Sequence, residues 1–309
     1  MEEVGLYLGM FLVSLFVLLK SSDFFIDSAE KIGLSLGISP FIIGVTIVAF
    51  GTSLPELATS VASVLANDSE IVIGNVVGSN ITNIALVLGL IAIIGKQIEL
   101  EYNVWHIDMP FLWGSAFLLW LVLQDGVFAF HEALLFLVGI IIFLAYSFKA
   151  DKADESERPT VVPLTYLILI GGGIGVWLGA EYTIVAVKEL SLKAGISSEL
   201  IAQTVIAFGT SLPEIVVSIA AVRKGVAGMA IGNVLGSNIF NTYIVMAIPS
   251  FFGSLEIPPI MMTSSIPIMI IVTILFGIIT NNRKITRWEG FLLLMFYAFF
   301  IMDNVSRVI

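Results

Sequence analysis

The octapeptide AFGTSLPE stands at 49–56 and again, letter for letter, at 207–214. The likeness extends beyond it without a gap. GIS at 37–39 meets GIS at 195–197, and GNVVGSNITN at 74–83 meets GNVLGSNIFN at 232–241. Shifted by 158 positions, 25 of the 47 residues from 37 to 83 are identical, so the chain carries an internal duplication. Each copy lies within apolar runs long enough to cross roughly 30 Å of hydrocarbon. Such runs recur along all 309 residues, of which 58% are hydrophobic and only 12% charged. Soluble domains average about 25% charged residues. A soluble fold would need helices with charged faces, and these segments lack them.

Punctuation by Ser39-Pro40, Asn67-Asp68, Lys96, Asp125-Gly126, Arg223-Lys224 and Asn281 to Lys284 divides the chain into ten expected spans. They cover 4–34, 40–66, 70–95, 105–123, 127–148, 161–193, 198–222, 226–252, 259–280 and 287–305. The hydrophilic stretch KADKADESERP, 149–159, reads as a solvated connector. The expected domains are a first five-helix repeat at 1–148, a linker at 149–160 and a second repeat at 161–309. Five is odd, so the second half enters the membrane from the opposite side. This predicts an all-α integral membrane fold of two inverted five-helix repeats, a design found in secondary transporters. Basic residues agree. Loops after odd-numbered spans hold Lys31, Lys96, Lys149, Lys152, Arg158, Arg223, Lys224, Arg283, Lys284 and Arg287; the opposite side holds Lys188, Lys193 and Arg307. The positive-inside rule then puts the 149–160 loop in the cytoplasm and both termini outside.

The absence of cysteine excludes disulfides and thiolate metal sites, and His106 and His131 lie near span ends. Net charge of −10 argues against a nucleic-acid surface. Glu2 and Glu3 stand where a signal peptide carries positive charge, so no cleaved leader is expected. Trp105, Trp113 and Trp288 suit interfacial anchoring.

Chemistry concentrates in the duplicated motifs. Pro55 lacks an N–H and crowds the preceding turn, which frees carbonyls near Gly51 and Thr52; Pro213 repeats this after Gly209. Discontinuous helices are expected there. In hydrocarbon the freed carbonyls require a partner, either neighbouring hydroxyls or a bound cation. Glu56 and Glu214 fall at membrane depth, where an acid marks a functional site by default. A protonated or ion-paired Glu is the alternative, but Lys20 is the only intramembrane base and lies in another span. Thr52 and Glu56 are four apart and share a helix face, with Ser53 beside them; Thr210, Glu214 and Ser211 repeat the set. Ser79 with Asn83, and Ser237 with Asn241, do the same on the following spans. All are hard oxygen ligands, suited to Ca²⁺ or Na⁺ and unsuited to copper or zinc. Gly74, Gly78, Gly232 and Gly236 have the GxxxG spacing that brings helices close.

At these residues the chain resembles the cation/calcium antiporter superfamily, and within it the prokaryotic sodium/calcium exchanger branch. The matching motifs are GTSLPE at 51–56 and 209–214 and GNxxGSN at 74–80 and 232–238. The resemblance implies Na⁺/Ca²⁺ antiport with Glu56 and Glu214 as shared acidic ligands, joined on Ca²⁺ by the carbonyls of Thr52 and Thr210. It further implies flanking Na⁺ sites from the Ala49 and Ala207 carbonyls with Ser53, Ser79, Ser211 and Ser237, and Asn83 and Asn241 lining the centre. Some relatives carry Asp where this chain has Asn241, which bears on ion ratio and proton coupling.

The expected activity is therefore secondary active exchange of Na⁺ for Ca²⁺ by alternating access, without enzymatic chemistry or a resident cofactor. Transported ions and the lipid bilayer are the expected partners, with no nucleic acid and no obligatory protein partner. A Ca²⁺/H⁺ or other monovalent-coupled antiporter is the alternative; a passive channel is a weaker one, and an intramembrane hydrolase weaker still for want of a Ser/His pair. Asp23 and Glu181, equivalent under the 158 shift, read as interfacial acids or as lining ion entry paths.

Overall fold

Apolar runs in hydrocarbon must close their own backbone hydrogen bonds, and helices do so locally. The computed structural model describes residues 2–100, 102–150, 159–194 and 209–306. The helices, in chain order, are α1 (Glu2–Ser35), α2 (Pro40–Leu65), α3 (Glu70–Gly95), α4 (Asp108–Val122) and α5 (Phe130–Ala150). After the linker come α6 (Pro163–Lys193), α7 (Leu212–Arg223), α8 (Ala227–Ser250), α9 (Met261–Thr280) and α10 (Arg287–Ser306). Eight of these are long and apolar enough to cross a membrane. Helix α4, at 15 residues, is shorter than the expected 105–123 span. Residues 198–208 of the expected 198–222 span, and 151–158 of the 149–160 linker, lie outside the described residues.

Helices α1 and α6, the first of each half, pack antiparallel along a seam of small residues. A Cβ on Gly172 would lie 3.0 Å from Phe25 N, one on Gly179 2.7 Å from Leu18 N, and one on Gly175 against Ser21. Thr183 Oγ1 donates to Ser14 Oγ at 2.9 Å, and Lys193 pairs with Glu3 at 2.6 Å where the two helices end. Small residues permit this approach between helices that gain little from hydrophobic burial in lipid. The outward faces of α1, α5, α6 and α10 present large side chains such as Leu12, Phe16, Ile141, Leu167 and Met295. Helices α2, α3 and α8 form the buried centre.

At that centre α2 and α8 lie parallel and nearly in backbone contact. A Cβ on Gly232 would lie 2.3 Å from Phe41 O, and one on Gly236 2.3 Å from Val45 O. The expected role of this GxxxG pair is thus met. For Gly74 and Gly78 the equivalent neighbours under the repeat are residues 199–207, outside the described residues.

Short strands in the connections depart from the all-helical expectation. β1 (Gln97–Glu99) pairs antiparallel with β4 (Lys284–Thr286), and β2 (Val127–Phe128) with β3 (Leu255–Glu256). Under the 158 shift, β1 is equivalent to the β3 segment and β2 to the β4 segment. The two pairings are therefore one contact with the halves exchanged. Segments of two or three residues carry no readable period. The Lys284 ammonium, then the Gln97 amide, hold the Glu99 carboxyl below its ordinary range. Lys20 and Lys224 both engage Asp23, at 3.8 and 3.9 Å, and Lys224 also reaches Asp27 at 2.7 Å. Asp23 is accordingly ion-paired, and Lys20 is held by a neighbour on its own helix.

Candidate functional site

Helix α2 starts at Pro40, whose missing N–H is harmless in a first turn, with Ser39 Oγ accepting from Ile42 N at 3.4 Å. A π-helical turn, Gly44–Val48, precedes the octapeptide. The chain then runs as α-helix through Pro55 to Leu65, so the expected break is absent in this copy. The proline ring removes one hydrogen bond, but its fixed φ is itself helical, and the turns on either side hold. In the second copy the break is present. Thr210 and Ser211 form a turn, and Pro213 sits in the first turn of α7. Further π-helical turns, Thr82–Leu88 in α3 and Asn241–Val245 in α8, begin one residue before Asn83 and at Asn241. Such turns often accompany functional sites.

These elements bring the oxygen ligands together. Thr52 Oγ1 lies 3.2 Å from Asn233 Oδ1, 3.4 Å from Ser237 Oγ and 3.3 Å from Ala49 O. Ser53 Oγ is 3.5 Å from Glu214 Oε1, and Ser79 Oγ is 3.5 Å from Thr210 Oγ1. Several hydroxyl bonds elsewhere are shorter, 2.6 Å for Thr46 to Ile42 O, 2.6 Å for Thr183 to Gly179 O and 2.8 Å for Ser22 to Leu18 O, while exposed Thr263 also stands 3.3 and 3.4 Å from Pro259 O and Ile260 O. The site contacts exceed the usual O–H···O range of about 2.7–2.8 Å. They match another spacing. Adjacent oxygens on an octahedral ion with bonds of about 2.4 Å are about 3.4 Å apart.

Charge points the same way. Glu56 and Glu214 are both completely buried, and Glu56 lies within the field of Glu214. Neither Glu56 oxygen has a hydrogen-bond partner, nor do Glu214 Oε2 and Ser211 Oγ. No salt bridge among the described residues involves either acid. Buried carboxylates with no base beside them are neutralised either by a proton or by a bound cation.

Both copies of the first motif, a centre of hard oxygens and two buried acids are therefore present in one chain of apolar helices. The sequence profile described as Sodium/calcium exchanger protein matches residues 6–149 and 164–303. The chain belongs to the sodium/calcium exchanger family. An uncharacterized membrane protein of Methanocaldococcus jannaschii is 37% identical over 302 residues, covering 94% of this chain and 95% of its own. Sodium/calcium exchanger MaX1 of Methanosarcina acetivorans is 31% identical over 345 residues, covering 94% and 96%. A structure of the sodium-calcium exchanger NCX_Mj, soaked with Na⁺ and Sr²⁺, superposes with a TM-score of 0.86 at 37% identity, covering 97% of this chain and 99% of its own. This exchanger-family chain is a multi-pass membrane protein.

Of the twelve expected site residues, Thr52, Ser53, Glu214, Ser237 and Ala49 meet on one side, and Ser79 meets Thr210 on the other. Glu56 belongs to the same helix face as Thr52, and Asn75 Nδ2 donates to its main-chain oxygen at 3.1 Å. Asn83 and Asn241 are fully buried; Asn83 donates to Asn238 Oδ1 at 3.3 Å, and neither amide atom of Asn241 has a partner. Ser211 is buried without a hydrogen-bond partner, and Ala207 lies outside the described residues.

The sequence reading passed over Asn75 and Asn233. Asn75 Nδ2 donates to Ser60 Oγ at 3.0 Å, and its counterpart Asn233 donates to Ser218 Oγ at 2.9 Å. Each stands four residues before Ser79 or Ser237, on the same helix face, so the i, i+4 rule applied once more reaches them. These paired bonds repeat one contact in the two halves.

Proposed function

We propose that this exchanger-family chain is a secondary active antiporter that exchanges Na⁺ for Ca²⁺ by alternating access at one mid-membrane site. The observation that carries the reading is the set of oxygen contacts at 3.2–3.5 Å around two buried carboxylates that have no basic partner among the described residues. Glu56 and Glu214 supply two negative charges. One Ca²⁺ neutralises them, as do two Na⁺, so the ions compete for shared ligands and exchange follows. Thr52 and Thr210 flank Ca²⁺ with their carbonyls. Ser53, Ser79, Ser211 and Ser237, with the carbonyls of Ala49 and Ala207, serve Na⁺, and Asn83 and Asn241 line the centre. Two inverted halves, 1–148 and 161–309, provide the symmetry; the exchanged strand pairings and the paired Asn–Ser bonds support it. In this reading ten spans place both termini outside and the 149–160 linker in the cytoplasm. The chain is a transporter, with no cofactor and no protein partner needed to complete the site.

The test is Ca²⁺ uptake into Na⁺-loaded proteoliposomes diluted into Na⁺-free buffer at fixed pH, beside a K⁺-loaded control. Uptake confined to the Na⁺-loaded vesicles is expected. Equal uptake in both removes Na⁺ coupling and favours a proton gradient or a pore.

A further inference from the structure

Between the α1–α6 pair and the centre lies a lateral cavity of about 760 Å³. Its walls include Leu144, Phe148, Leu169 and Trp177, and its floor is Gly51 and Pro55 of α2 with Gly236 of α8. Among the described residues Thr46 brings the one hydroxyl in the lining, and that group already donates to Ile42 O at 2.6 Å. Water gains nothing in such a space, and apolar cavities stay dry. In a bilayer the apolar medium at hand is hydrocarbon chain.

The dimensions suit one chain. The lining runs from Ile140 to Phe148 on α5 and from Val45 to Ala58 on α2. At 1.5 Å per residue these stretches are about 12 and 20 Å long. Half of the hydrocarbon thickness is about 15 Å. Lys149 follows Phe148 in the last turn of α5, which places a cation at the end of the cavity where a phosphate headgroup would sit.

The repeat gives the cavity a second meaning. A smaller one of about 310 Å³ is lined by Asn75, Ser79, Thr210 and Asn304 and opens directly onto two proposed ligands. Gly78 and Ile301 also line it, and under the 158 shift they are the counterparts of Gly236 and Phe143 in the apolar cavity. The two spaces therefore occupy related places in opposite halves. One sets polar side chains among apolar ones and reaches Ser79 and Thr210; the other is almost wholly apolar and lies beside Thr52 and Ser237.

We propose that the apolar cavity binds one phospholipid acyl chain, from the leaflet at the Lys149 end of α5, and that this chain seals the path by which ions would reach Thr52 and Ser237 from that side. The sealing role rests on the ion-site reading; acyl binding does not.

The full chain is reconstituted with a phospholipid carrying a photoactivatable diazirine near the end of one acyl chain, and the adducts are mapped. Adducts on Ile47, Leu144 and Leu169, which line the cavity and are partly buried, are expected; adducts confined to outward residues such as Leu135 and Ile141 overturn the proposal. An anionic probe is expected to label at least threefold more than a zwitterionic one, with Lys149→Gln levelling the two, and equal labelling from the outset overturns the headgroup contact. Gly173→Trp fills the space, since a Cβ there has its nearest neighbour at 3.5 Å. It is expected to cut cavity adducts at least tenfold and, as a fixed plug that cannot withdraw as a lipid chain does when that side opens, to slow Na⁺-driven Ca²⁺ uptake at least fivefold. Lost adducts with an unchanged rate overturn the sealing role. Adduct mapping on the unsubstituted chain needs no variant to fold, and failure of Na⁺-driven uptake in that same chain strikes the ion-site reading alone.

Discussion

Replacing Gly236 by Ala tests whether helix spacing sets ion affinity. The new Cβ would lie 2.3 Å from Val45 O, 2.7 Å from Val45 Cα and 2.8 Å from the Ala49 Cβ. Main-chain atoms cannot swing aside, so α8 must retreat from α2 by about 1 Å to restore ordinary contact, with overpacking of this kind costing about 1–3 kcal/mol. Ser237 and Asn233 are on the retreating helix, and Thr52 is on the other. Their separations of 3.4 and 3.2 Å then open beyond the spacing of neighbours on one ion. If that strain falls on the bound state, Ca²⁺ affinity drops about 5- to 150-fold, at 1.4 kcal/mol per tenfold. The assay is initial Ca²⁺ uptake against external Ca²⁺ in Na⁺-loaded vesicles. Gly228→Ala, on the same helix, is the control, because its Cβ meets nothing closer than 3.9 Å. Wild-type half-saturation in Gly236→Ala, with the protein correctly inserted, refutes the reasoning.

Three further outcomes are expected. Glu56→Gln and Glu214→Gln should each abolish Na⁺-driven Ca²⁺ uptake while leaving expression and thermal unfolding near wild type, since each removes a buried acid that no base pairs among the described residues; full exchange in either folded variant would exclude that acid as a ligand. Asn241→Asp adds a third negative charge that one Ca²⁺ no longer neutralises, so transport should become steeper in Na⁺ or gain pH dependence, read from the Hill slope at two pH values. Gly179→Leu should lower the unfolding temperature by several degrees through the α1–α6 seam, whereas Gly171→Leu, with nothing within 4 Å of its Cβ, should not.

Much of this architecture is legible in the sequence because its signals are long. Apolar runs and a 158-residue offset each integrate over many positions. The buried polar pairs are legible because i, i+4 spacing is a property of any helix. Other features leave no such trace. The π-helical turns at Thr82–Leu88 and Asn241–Val245 insert no distinctive residue. The strand pairings rest on two or three residues. Whether Pro55 breaks its helix was not decidable from Pro55, since Pro213 in the same octapeptide has a different backbone around it.

That last contrast has an energetic consequence. GTSLPE is continuous helix at 51–56 and is interrupted by a turn at Thr210–Ser211 in 209–214. The letters are identical, so intrinsic propensity favours neither form, and the surroundings alone hold the two copies apart. In the alternating-access reading, a substitution that disfavours the turn therefore pushes the molecule one way when placed in the second copy, and the opposite way when placed in the first. Made in both copies, it handicaps the arrangement and its mirror image equally. The duplication works as a balance with matched pans, in which each copy is the counterweight of the other and a weight on one side is cancelled by its twin.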